Sequence, residues 1–225
     1  MPESLQANLE AVREAIRAST ERASRDANAV ALVAVTKTVP VERIREAIRL
    51  GLHTFGENRV QEAMPKMDEI GPAGVDWHLI GHLQTNKVKF VEGHFQMVQS
   101  VDSAALAEAL DRRFQSALEV LVEVNVAEEP QKTGALPADL PAIAAVVASA
   151  GHLRLRGLMT IAPMVTDPER VRPIFRRLRS LRDETSQQLG MPLPVLSMGM
   201  TDDYPVAVEE GATMLRLGRA LFGPR

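Results

Sequence analysis

The sequence predicts an α/β protein, a closed (β/α)8 barrel of the TIM type with an additional N-terminal helix. Three observations carry this expectation. From residue 31 onward, short aliphatic or β-branched runs alternate with amphipathic stretches, the pattern of parallel strands joined by helical crossovers. Eight such runs occur, the number that closes a barrel. The other fold this alternation allows is an open doubly wound sheet, but the first run is not followed by the Gly-rich dinucleotide loop of that fold. At 225 residues the chain is read as one domain over 1–225, with 1–25 as the leading helix.

The elements follow in order. Leu5, Leu9, Val12 and Ile16 recur at steps of four, three and four, one face of a helix that precedes the first strand. Ala31 to Thr36 is almost continuously apolar, as a strand covered on both faces requires. Pro40 suits a first helical turn, Val41, Ile44 and Ile48 form a stripe, and Gly51 is a stop. His53 to Gly56 is the second strand, with a helix to about Glu69 and a loop at Gly71 to Gly74. Trp77 to Ile80 is the third strand, with a helix around Asn86 to Val91. Gln96 to Val101 is the fourth, and Ser103 caps a helix from Ala104 to Ala117. Glu119 to Val126 is the fifth strand; the loop Ala127 to Ala135 leads to a helix whose start Pro137 and Pro141 bracket. Leu153 to Met159 is the sixth, followed by a basic helix over about 169–189. Val195 to Met198 is the seventh, with Thr201 capping an acid-led helix that ends at Gly211. Met214 to Leu217 is the eighth, and Arg219 to Phe222 a closing turn. The last crossovers are short, and the leading helix is the candidate to fill the outer ring there.

Composition narrows the function classes. There are 26 basic and 29 acidic side chains, a net charge of -3, 45% hydrophobic and 24% charged residues, and no cysteine. That is a globular average, which excludes a disordered chain. A disulfide scaffold, thiolate metal site and cysteine nucleophile are excluded. The charge gives no general attraction for nucleic acid, and no apolar run reaches the 18 residues of a membrane span. The N-terminal residues carry acid and lack an apolar signal core, so a cytoplasmic protein is expected.

In a barrel the active site lies at the C-terminal strand ends. Lys37 directly follows the first strand, where desolvation lowers an ammonium pKa and frees an amine for Schiff-base chemistry. The alternative is a lysine that snorkels to solvent or pairs with an acid. Ser197 to Thr201 and Arg216 to Arg219 end strands seven and eight, where barrels often bind phosphate. Gly199 and Gly218 let backbone N–H groups approach an anion, and Ser197 and Thr201 add hydroxyls; ordinary turn glycines and a cap are the plainer reading. An amine and a phosphate site together suit pyridoxal phosphate (PLP), or the sugar phosphate of a Schiff-base aldolase. Arg216 points to the face of Gly218 and is placed to meet a ring nitrogen, which a sugar phosphate lacks.

These residues resemble the pyridoxal phosphate homeostasis proteins, a family related to the N-terminal barrel of alanine racemase. The matching stretches are LVAVTKTVP (32–40), FGENRVQEA (55–63), WHLIGHLQTNK (77–87), LRGLMTIAP (155–163) and LSMGMTDDYPVAVEEGATMLRLGRALFG (196–223). The resemblance implies a single barrel that holds PLP on Lys37 and manages its supply without a catalysed reaction. It implies Arg216 at the pyridine nitrogen, and Ser197, Thr201 and the backbone N–H groups of Gly218 and Arg219 at the phosphate. Asn58 and His78 match positions lining the pocket. Thr36 and Thr133 stand where serine is common, and Arg219 where threonine is frequent, which removes a hydroxyl and leaves the backbone donor. PLP-dependent apo-enzymes are the expected recipients, and a monomer or weak oligomer the expected state. The rival is an amino-acid racemase. Two-base racemisation needs a proton donor on each face; in alanine racemases the second is a tyrosine of a separate β-domain, for which the sequence up to Arg225 offers only Tyr204, on the strand-seven side.

Other candidates take structural readings. His78 and His82 are four apart but flank a strand end and Gly81, the wrong geometry for a metal. Asp202 and Asp203 read as helix-start acids. The six arginines between Arg170 and Arg182 interleave with Phe175, Leu178 and Leu181, an outer helix with a solvated basic face. Glu123 and Asn125 point into the barrel as polar core residues.

Overall fold

In a computed structural model that describes residues 4–224, eight parallel strands close on themselves. They are β1 (Ala31–Val35), β2 (Thr54–Glu57), β3 (Asp76–Leu79), β4 (Met97–Val101), β5 (Leu118–Glu123), β6 (Leu153–Met159), β7 (Val195–Ser197) and β8 (Met214–Leu217), paired in chain order with β8 back on β1. The seam is in register from Ala31 opposite Met214 to Ala34 opposite Leu217. Around them run α1 (Leu5–Arg22), α2 (Val41–Arg49), α3 (Val60–Ile70), α4 (Ala104–Arg113), α5 (Leu140–Ser149), α6 (Arg172–Leu189), α7 (Tyr204–Glu209) and α8 (Arg219–Phe222). Residues 1–3 of the expected leading helix and Arg225 lie outside the described residues.

Alternation along each strand divides the side chains between two cores. Outward-facing Ala34, Phe55, Leu79, Val98, Val120, Val122, Leu158, Leu196 and Leu215 join the helices in the larger one. Inside the barrel, Val33, Met97, Leu121, Met159 and Met214 form a smaller cluster. Beside it the interior holds buried polar side chains: His78, Gln99, Glu123, Ser197 and Arg216. A barrel interior that is normally filled with branched apolar side chains here carries a hydrogen-bonding system, and that sets the site.

The outer ring is completed from the far end of the sequence. α7 and α8 are short, and α1 packs across both. The Asn8 amide donates to the Leu221 carbonyl at 2.8 Å, Arg22 pairs with Glu209, and Arg25 donates to the Val208 and Ala212 carbonyls. The leading helix therefore takes the place of a full last crossover.

Four elements differ from expectation. The β3–β4 connection holds a 3-10 helix at Thr85–Phe90 rather than an α-helix, with Val88 its one buried residue. α4 stops at Arg113, since Phe114 goes extended to bury its ring. Thr201 does not cap α7: that helix starts at Tyr204 after Asp203, and the Thr201 hydroxyl instead accepts the Ala220 N–H of α8 at 3.2 Å. The basic face of α6 is only partly solvated. Arg172, Arg176 and Arg179 reach Glu210, and Arg172 also reaches Glu209, which fastens α6 to the end of α7.

Gly157 shows how tightly the strands approach. The β5–β6 register slips by one residue between Val120 opposite Leu155 and Leu121 opposite Gly157, a bulge at Arg156. A Cβ on Gly157 would lie 1.8 Å from the Val195 carbonyl oxygen. Backbone cannot yield as a side chain can, so Gly157→Ala is expected to cost at least about 2 kcal/mol, read as a lowered urea midpoint. An unchanged midpoint would show that the β6–β7 contact is loose.

Candidate functional site

The C-terminal ends of β1, β2, β3, β7 and β8 carry the residues singled out in the sequence. Lys37 sits in the turn directly after β1, half-buried. On the outer side of that strand end the Thr36 hydroxyl donates to Glu57 Oε1 at 2.7 Å, and Lys66 of α3 donates to the same oxygen and to the Thr36 carbonyl, each at 2.7 Å. Glu57 is fully buried and its Oε2 has no hydrogen-bond partner. This ring of bonds anchors the peptide from which Lys37 projects. Asn58 follows β2, half-buried, and its backbone lies against Gly81, where a Cβ would come within 2.3 Å of the Asn58 oxygen. Gly81 is thus required by the close approach of the β2 and β3 exits.

Inside the barrel the side chains are linked directly. Arg216, 4% exposed, donates through one terminal nitrogen to Ser197 Oγ at 2.6 Å and through the other to the Thr160 carbonyl at 2.7 Å. Ser197 Oγ donates to Gln99 Oε1 at 2.6 Å, and Gln99 Nε2 lies 2.9 Å from His78 Nδ1. Arg216, Ser197 and His78 are therefore brought into one network, through a glutamine that sequence reading had passed over. Its only signal was a polar residue two positions from Met97, beside Ser100, in the middle of a short strand.

Electrostatics follow burial. Desolvation pulls the Arg216 guanidinium down to about 10, with Glu123 and Asp203 opposing, so it stays protonated at neutral pH. Burial raises the Glu123 carboxyl against a hydrogen bond from Thr133 and the charge of Arg216. It likewise raises Asp203, against the Met200 N–H and Arg216. Burial lowers His78 to about 4, leaving a neutral ring. Glu123 is inside as expected; Asn125 instead brackets Glu129, its amide donating to the Glu129 carbonyl and accepting the Glu129 N–H, and shapes the loop above.

On the β7–β8 side, Thr201 accepts from Ala220 and keeps its own proton for an acceptor. Gly218 precedes α8, and the Arg219 side chain pairs with Asp202 on the surface. Gly199, at φ +98, has its Cα against Ala207 and Leu215, so packing explains that glycine. His82 lies outside the chain of interior bonds, paired with Asp102 at 3.1 Å. Among the described residues, no group of three or more His, Asp or Glu could hold a metal, and no helix is long and apolar enough to cross a membrane. The mouth thus offers an amine at one strand exit, a fixed guanidinium, and hydroxyl and backbone donors on the opposite side of β1, a set suited to an anionic carbonyl compound.

The family model described as the N-terminal domain of alanine racemase matches residues 7–225, which places the fold and mouth in that class of barrels. Within it, the chain belongs to the pyridoxal phosphate homeostasis protein family. It is 44% identical over 220 residues to the Aquifex aeolicus protein of that name, covering 96% of each chain. It is 42% identical over 221 residues to that of Pseudomonas aeruginosa, covering 97% of this chain and 94% of the other. PipY of Synechococcus elongatus PCC7942, solved with PLP bound, superposes with a TM-score of 0.86 at 37% identity over 98% of this chain and all (100%) of PipY. Alanine racemase from Corynebacterium glutamicum shares the fold, with a TM-score of 0.69 at 19% identity, over 96% of this chain and 62% of that one.

Proposed function

We propose that the whole chain acts as one PLP-binding domain, holding the cofactor as a Schiff base on Lys37, and serves in cofactor homeostasis without a catalysed reaction of its own. The observation that carries this reading is Arg216. A buried guanidinium, with two of its five N–H donors fixed by Ser197 and Thr160, can meet a pyridine nitrogen only as a donor. PLP supplies electron-sink chemistry when that nitrogen is protonated by an acidic partner. Arginine stays charged and cannot take that part. The donor set therefore fits the cofactor while favouring storage over turnover. Lys37 projects from the anchored β1 exit. Thr201 and the backbone N–H groups of Gly218 and Arg219 take the phosphate; Ser197, whose hydroxyl links Arg216 and Gln99 in this structure, stands with them as a phosphate ligand. Asn58 and His78 line the pocket walls. Recipients are PLP-dependent apo-enzymes. The names of the relatives support a homeostatic role.

The test is a titration of the purified protein with PLP, followed by visible absorbance, together with an alanine racemisation assay. Saturation near one equivalent is expected, with racemisation far below about 1 per second, the low end of enzymatic turnover. Failure to bind PLP would overturn the reading. Turnover at enzymatic rates, lost in Lys37→Ala, would make the chain a racemase.

A further inference from the structure

We infer that Gln99 is a positioning residue that fixes the His78 ring in one tautomer, with its proton on Nε2. The argument runs from a charge at one end of a buried chain. Arg216 has only donors. Its bond to Ser197 Oγ, 2.6 Å, obliges the hydroxyl to turn its single proton elsewhere, and the acceptor present is Gln99 Oε1 at 2.6 Å. That assigns the amide: oxygen toward Ser197, nitrogen toward the opposite wall. There Nε2 meets two acceptors, Met214 Sδ at 3.1 Å and His78 Nδ1 at 2.9 Å. A flipped amide would leave the Ser197 proton without an acceptor and set oxygen against sulfur. Nδ1 therefore carries the lone pair, and the ring proton sits on Nε2. Ser197 and Gln99 are fully buried and His78 is 6% exposed, so water cannot substitute for these partners. Burial also keeps the imidazole neutral.

The consequence deepens the PLP reading and rests on it only for the identity of the ligand. His78 then offers an N–H at Nε2 and no acceptor, so a group meeting that edge of the ring must be an acceptor and a donor there is disfavoured.

The tautomer is read in cofactor-free, 15N-labelled protein near neutral pH by long-range proton–nitrogen correlation of the histidine rings, with His78 assigned by its loss in His78→Gln. The wild type is expected to show protonated Nε2 and bare Nδ1. Gln99→Glu replaces the donor with an acceptor of the same shape, so the proton should appear on Nδ1, on the neutral or the doubly protonated ring. Gln99→Leu removes the donor and should give mixed tautomers. Protonated Nδ1 in the wild type would overturn the inference, as would an unaltered Nε2–H pattern in either variant that folds. Because no cofactor is present, failure here leaves PLP binding untouched, and failure of PLP binding leaves the tautomer assignment untouched.

Discussion

Borohydride reduction of the PLP-loaded protein is expected to fix one cofactor per chain on Lys37, and Lys37→Ala to abolish the labelling. The sequence contains five lysines, Lys37, Lys66, Lys87, Lys89 and Lys132. Lys66 is turned outward onto Glu57 and Thr36, and Lys132 onto Glu129. Lys87 and Lys89 lie over the Phe90 ring on the outer connection. Lys37, half-buried in the turn directly after β1, is the lysine at a barrel-strand exit. Loss of a covalent link should weaken PLP retention at least about a hundredfold, about 2.7 kcal/mol. Lys37→Arg keeps the charge without an amine that condenses, and should behave like the alanine variant. Peptide mapping that places the label on Lys66 or Lys132 would refute this assignment.

Arg216→Leu is expected to destabilise the fold by about 3–5 kcal/mol, the usual cost of removing one partner from a buried charged network. Ser197 and the Thr160 carbonyl each lose a donor, and buried Glu123 and Asp203 lose the cation that opposes their desolvation. The sign of the pH dependence follows. Without Arg216, both carboxyls rise further above their unfolded values. A raised folded pKa contributes stability below the unfolded value and loses it as pH climbs through the folded one. The deficit against wild type should therefore be largest in the alkaline range and shrink as pH falls toward about 5. Urea midpoints at several pH values measure it. A deficit constant across pH would show that the guanidinium serves geometry alone. Arg216→Lys should recover part of the alkaline loss, since it keeps the charge and forfeits the fork.

The barrel was legible because each strand is an apolar run wedged between amphipathic helices, and that pattern is local. Lys37, Arg216 and the glycines at β7 and β8 were legible for the same reason, as unlike residues at strand exits. What escaped is pairwise and distant. Gln99 matters through Ser197, 98 residues on, and His78, 21 residues back, and no window of sequence displays that conjunction. Ser197 is legible as a hydroxyl before a glycine-containing turn; only the closed barrel shows that it also stands beside Arg216. Thr201 met the rules for an N-cap, yet a backbone N–H from α8 claimed its oxygen. Glu57 stood only as a letter in the 55–63 stretch and Lys66 as one residue of the helix after it, because a buried ion pair behind a strand leaves no periodic trace.

The clasp of α1 over α7 and α8 also dictates an order of assembly. α1 is synthesised before every strand, yet its partners are synthesised last; Asn8 and Leu221 are 213 positions apart. Until β8 reaches β1, the Leu5, Leu9, Val12 and Ile16 stripe has nowhere to dock and α1 persists only as a marginal helix. Closing so long a loop carries its entropic cost before the contacts return anything. Closure of the seam is thus the step expected to be slow, and until it happens the sheet would stay open with two bare edges.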